Sequence, residues 1–156
     1  MKRVLAYSVE WVSAVLVVAL AVVVFIQVFN RFVLKAPLAW SEDLAMLLFQ
    51  WVAFLGAAIG VKRMRHFGIE LVVNALPERI RHRVELVVPA IMAIVAVTLI
   101  TQGLTLVTFN RTRIYSTMNL SYTWAFLPIP VSGALMIAYL VQHEVHRWRA
   151  PKEGGA

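Results

Sequence analysis

The stretch "LAWSEDLAMLLFQWVAFLGAAIGVKR", residues 38–63, sets two adjacent carboxylates, Glu42 and Asp43, at the mouth of an apolar run with no charged residue from Leu44 to Val61. A run of that length decides the fold, because about 20 residues of helix cross a ~30 Å hydrocarbon core. Working outward from it, three more such blocks appear, so that spans are expected near residues 11–34, 41–61, 84–109 and 121–142. The chain has 156 residues, 61% of them hydrophobic, and the apolar ones come in blocks rather than scattered. That pattern excludes an ordinary soluble domain. With no water at depth to satisfy bare backbone groups, each block should be helical. The expectation is an all-α integral membrane protein, a single four-span domain over residues 1–156.

The basic residues orient it. Of the 15 lysines and arginines, eleven fall in the N-terminus, the middle loop and the tail, and Arg31, Lys35, Arg111 and Arg113 fall on the other side. The positive-inside rule places both termini in the cytoplasm. The first block is longer than a signal-peptide core and no small-residue cleavage site follows it, so it reads as a retained span. In the middle loop, Ile69, Val72, Val73 and Leu76 recur at helical spacing, which predicts a short interfacial helix over about residues 66–76. Around it, Arg65, His66, Arg79, Arg81 and Arg83 are candidates to meet anionic lipid headgroups, a bound phospholipid included. The same net charge of +7 carries no nucleic-acid module with it. The fourth span contains Pro128 and Pro130; a helix opening at Pro128 would be too short to cross, so the span should start near Ser121 and be distorted at the prolines.

On a 100° wheel of the second span, Glu42, Asp43, Met46, Gln50, Ala53, Ala57 and Gly60 share one face, and Leu44, Leu48, Val52, Leu55 and Ile59 the opposite one. Small residues let a neighbouring helix approach closely, and Gly56 with Gly60 adds a small-xxx-small pair. The small face is therefore expected to pack against protein and the bulky face against lipid. Packing candidates are Gln50, Ala53, Gly56, Ala57, Gly60 and, deep in the span, Trp51 as partner anchor or core. Ser41 should cap the helix, with Glu42 and Asp43 meeting the positive end of its macrodipole. Ion pairs from Arg31 and Lys35 to these acids, flanked by Trp40, would order that end. In the third span Thr98, Thr101, Gln102, Thr105 and Thr108 share a face, expected to serve helix contact more than a hydrophilic path.

No catalytic set emerges. The chain has no cysteine, its four histidines lie outside the spans, and neither a nucleophile–base pair nor a metal or haem ligand set can be assembled. A stand-alone four-span proton antiporter is the alternative, but it needs an embedded glutamate in the first span, and Glu10 is too shallow. A four-span membrane glutathione transferase would need polar catalytic residues within its helices.

The same segments carry a resemblance. The Asn30-Arg31-aromatic end of the first span, Trp40-Ser41-Glu42-Asp43, Phe54-Leu55-Gly56-Ala57-Ala58, Arg65-His66 and Leu76-Pro77 resemble, in order and spacing, the small DctQ-like membrane subunit of the TRAP (tripartite ATP-independent periplasmic) transporters. Leu127-Pro128-Ile129-Pro130 and Gly133 through Met136 are similar to a divergent form of that family's fourth span. Asp43 stands where the family usually has a second glutamate, and His66-Phe67-Gly68-Ile69 is looser than the usual pattern. The resemblance implies a non-catalytic scaffold that braces a large, elevator-type membrane subunit and works with a periplasmic solute-binding protein. It further implies sodium-coupled uptake of organic acids, with the sodium and substrate sites in the large subunit and no cofactor here.

Overall fold

The computed structural model describes residues 2–63 and 78–149, with side chains placed over 8–62 and 87–142. The chain is helical, as expected: α1 (Lys2–Phe32), α2 (Ala39–Arg63), α3 (Glu78–Phe109), α4 (Thr123–Phe126) and α5 (Pro128–Arg149). Among the described residues, four spans are long and apolar enough to cross a membrane: Ser8–Phe32, Ala39–Lys62, Val87–Phe109 and Thr123–Gln142. The expected interfacial helix, with Arg65 and His66, lies outside the described residues. Arg79, Arg81 and Arg83 fall in the first turns of α3, which is continuous into the third span.

The spans form an open row. α1 packs on α2, α2 on α5, and α5 on α3. Ala58 of α2, Ala96 of α3 and Met136 of α5 make the central cluster, extended by Val61, Leu99, Leu135 and Ile137. The first span contributes no buried residue to the chain's interior. In a bilayer, lipid is as apolar as leucine, so helices associate through close packing and hydrogen bonds rather than hydrophobic burial. The α3–α5 contact shows how close that packing is. A Cβ added at Gly103 would stand 2.6 Å from Cδ of Pro130, and one at Gly133 would stand 2.8 Å from the Ala96 carbonyl oxygen. Each glycine thus receives the backbone or ring of the facing helix.

The fourth span starts at Thr123 and is interrupted between α4 and α5. Just before it, Ser121 Oγ accepts the Thr123 N–H (3.3 Å), a local turn that leads into the helix. Leu127, at the junction, keeps helical angles (φ −59°, ψ −34°), so the interruption lies in the hydrogen bonding. Pro128 has no N–H to give to the carbonyl of Trp124, four residues back, and Pro130 none for that of Phe126. At the other hairpin, Lys35 closes α1 by taking a left-handed conformation (φ 52°), which brings the Ala36 N–H onto the Asn30 carbonyl at 3.1 Å. Pro37 follows, and α2 begins two residues later.

Candidate functional site

The end of the row formed by the α1–α2 connection and by residues 110–122 is the hairpin end. Residues 110–122 fold back on themselves through an antiparallel bridge between Ile114 and Ser121. The Tyr115 N–H reaches the Leu120 carbonyl (2.8 Å) and the Tyr122 N–H that of Arg113 (3.0 Å), with Asn119 left-handed at the tip (φ 51°). Asparagine tolerates that conformation better than most residues. The rings of Tyr115 and Tyr122 stack with centroids 3.8 Å apart, and Tyr115 is buried. Burial, then the Tyr122 phenol and the Asp43 carboxylate, push the Tyr115 phenol above its ordinary value of 10.0.

This hairpin, rather than α1, receives Asp43 of α2. Thr117 Oγ1 donates to Asp43 Oδ2. The expected ion pairs from Arg31 and Lys35 to Glu42 and Asp43 are not formed; Arg31, Lys35, Trp40 and Glu42 are exposed. An exposed ion pair is worth only about 0–1 kcal/mol, so a hydroxyl held in place by a folded hairpin competes well with two long mobile cations. Ser41 also departs from expectation. The helix starts at Ala39, so Ser41 sits inside the first turn, fully buried, and its hydroxyl donates to the Leu38 carbonyl (2.7 Å) instead of capping. Glu42 remains in the first turn, where its charge suits the dipole.

The two faces of α2 exchange their expected roles within the chain. Leu55 is buried and Leu44, Leu48, Val52 and Ile59 are half-buried, whereas Met46, Ala53, Gly56 and Ala57 are exposed. Long side chains fill the space between neighbouring helices here, and the close approach that small residues permit is used by α3 and α5. A Cβ at Gly56 or Gly60 would meet nothing within 4 Å. Gln50 is half-buried and its Oε1 has no hydrogen-bond partner among the described residues. Trp51 is bound inside the chain, its Nε1 donating to the Trp124 carbonyl (3.0 Å).

On α3, each threonine of the stripe turns its hydroxyl onto its own helix. Thr98 donates to the Ile94 carbonyl (2.9 Å), Thr101 to Val97 (3.1 Å), Thr105 to Thr101 (3.0 Å) and Thr108 to Leu104 (3.0 Å). The stripe faces away from the rest of the chain and is exposed. At the opposite end of the row, Lys62 Nζ meets Glu10 Oε1 at 2.8 Å, joining α1 to α2. It is the one ion pair among the described residues. Sequence reasoning did not single out Thr117 or Gly103. A lone glycine deep in an apolar span is a signal of close helix approach and marks Gly103; nothing in the local pattern marks Thr117.

Residues 20–150 match the family model described as tripartite ATP-independent periplasmic transporters, DctQ component. The chain belongs to this DctQ family. TRAP small permease proteins are among its relatives. It is 30% identical over 128 residues to the sialic acid TRAP transporter small permease protein SiaQ of Vibrio cholerae, covering 82% of this chain and 74% of that one. It is also 30% identical over 145 residues to the sialic acid TRAP transporter permease protein SiaT of Haemophilus influenzae, covering 92% of this chain but 23% of that protein. A third relative, the C4-dicarboxylate TRAP transporter small permease protein DctQ of Vibrio cholerae, is 30% identical over 81 residues, 52% of this chain and 35% of that one. This DctQ chain thus spans about a quarter of the length of SiaT, and is a non-enzymatic component of a transporter.

Proposed function

We propose that this chain is the scaffold subunit of a sodium-coupled TRAP transporter that imports organic acids handed over by a periplasmic solute-binding protein. The observation that carries this is the open row. A first span without buried residues and a second span whose small-residue face is turned outward make a slab, fitted to lie against a larger membrane protein. The large permease subunit would hold the sodium and substrate sites and move against this slab. Ala53, Gly56, Ala57 and Gly60 are the candidate packing surface for it, beside Gln50. Relatives named for sialic acid and for C4-dicarboxylates support carboxylates as the substrate class.

With both termini in the cytoplasm, as the basic residues direct, the hairpin end faces the periplasm. Trp40, Glu42, Arg31 and Lys35 are then placed where a binding protein docks, on a platform held by Ser41, Asp43 and Thr117. By sequence position, Arg65, His66, Arg79, Arg81 and Arg83 are the candidates for contact with anionic phospholipid on the cytoplasmic side. The test is co-expression with a TRAP large subunit from the same operon, followed by reconstitution into liposomes. A stoichiometric complex that takes up an organic acid only with binding protein and a sodium gradient is the expected result. Solute movement by this chain alone would overturn it in favour of a stand-alone carrier.

A further inference from the structure

The row has two free edges, and they differ in chemistry. On α1 the edge is bulky and apolar: Val15, Val18, Val22 and Phe25 are 51–70% exposed, as a lipid-facing helix requires. On α3, Ala96 and Gly103 face α5, and at 100° per residue Thr98, Thr101, Thr105 and Thr108 fall on the opposite side. That side is apolar near the start of the span, with Val87, Ile91 and Ile94 exposed, and becomes hydroxyl-lined from Thr98 toward the hairpin end.

Each of these threonines has spent its proton on its own helix, so outward it offers a methyl group and an acceptor oxygen. Beside them stands Gln102, exposed and without a side-chain hydrogen bond among the described residues. Gln102 lies seven residues before the end of α3 at Phe109, about 10 Å along the axis and so within hydrocarbon depth. Acyl chains offer nothing to that amide. A second copy of this chain is a poorer match, since the threonine oxygens would face one another and each copy's stripe would bring a single side-chain donor group, the Gln102 amide.

We infer that the hairpin half of the α3 edge is a hydrogen-bonding seam for a transmembrane helix of the large subunit, and that the partner helix supplies the donors. This rests on the scaffold function proposed above and adds to it a second contact, distinct from the α2 face.

The test uses the full chain co-expressed with the large subunit. A photoreactive benzophenone amino acid replaces Gln102 or Thr105, and in a control Val18 on the α1 edge; all three positions are exposed, so the fold is kept. Illumination is expected to yield an adduct of this chain with the large subunit from positions 102 and 105 and none from 18. Thr101→Val and Thr105→Val should each lower retention of the large subunit about threefold, the size of one interhelical hydrogen bond in a membrane. A copurifying complex with no adduct from 102 or 105, or an adduct of two copies of this chain, overturns the seam and leaves the scaffold function standing. Failure of the unmodified chain to copurify overturns both.

Discussion

Trp51 of α2 donates its indole N–H to the carbonyl of Trp124, 3.0 Å away, and that carbonyl belongs to the residue four before Pro128. The proline has removed the backbone donor that would normally serve it, and a tryptophan from another helix supplies the replacement. A bare carbonyl within the span is costly, so the hydrogen-bond interruption in the fourth span and the indole on the second are one structural device. It also fastens the middle of α2 to α4.

The coupling is measurable. Trp51→Phe keeps most of the ring but loses the donor, and should destabilise the chain by about 1–3 kcal/mol. Pro128→Ala restores a backbone N–H for Trp124. In that background Trp51→Phe should cost markedly less, as read by a double-mutant cycle of unfolding in detergent. An equal cost in both backgrounds would show that the indole and the proline act independently.

The glycines divide into two classes that their sequence context does not separate. Gly103→Ala and Gly133→Ala push a methyl group into the facing helix and should each cost about 1–3 kcal/mol. Gly56→Ala and Gly60→Ala meet open space and should leave the isolated chain unchanged or up to about 1 kcal/mol more stable, since alanine is the better helix former. Ala57→Leu and Gly60→Leu should likewise fold normally alone yet reduce the amount of large subunit that copurifies. Loss of folding in those variants would place the small face inside the chain after all.

Tyr115 provides a pH readout of the hairpin end. Its phenol is pushed above 10.0 in the folded chain, so its contribution to stability is fully present below pH 10 and is lost as pH rises through the raised value. Tyrosinate absorbance should show the Tyr115 phenol ionising later than a model tyrosine, as the component that Tyr115→Phe removes. Asp43→Asn takes away one of the charges that raise it and should move the titration back toward 10.0. No movement in Asp43→Asn would mean that Asp43 does not approach the ring in solution.

Glu10 and Lys62 are each 27% exposed, intermediate between a surface pair and a buried one. Glu10→Gln alone leaves the Lys62 ammonium without this carboxylate at the membrane edge and should loosen α1, detected as faster proteolysis of the α1–α2 connection. Glu10→Gln with Lys62→Gln should recover much of the loss, because no unpaired charge remains. A double variant worse than the single one would point to separate roles for the two residues.

The four spans and their lengths were legible in the chain because hydrocarbon imposes a strong one-dimensional rule: about 20 apolar residues, helical, with polar residues between. The family was legible for a different reason, the resemblance carried by motifs such as Trp40-Ser41-Glu42-Asp43 and Phe54-Leu55-Gly56-Ala57-Ala58. The distortion at Pro128 and Pro130 was legible for the same local reason, a missing N–H and a span too short without the residues before it. The threonine hydroxyls bonding back to their own helix were another local outcome.

Which face of each helix meets which neighbour depended on the arrangement in space. The wheel correctly separated a small face from a bulky face on α2, but both are apolar, and in lipid hydrophobicity does not say which turns inward. That was settled by where α1 and α5 lie and by Gly103 and Gly133 taking the closest helix contact for α3 and α5. Asp43 pairing with Thr117 instead of a cation is of the same kind, since residues 74 apart are brought together only when the last hairpin folds over the start of α2. Periodicity along one helix reports what a side chain is made of; the packing of four helices in a row decides what it touches.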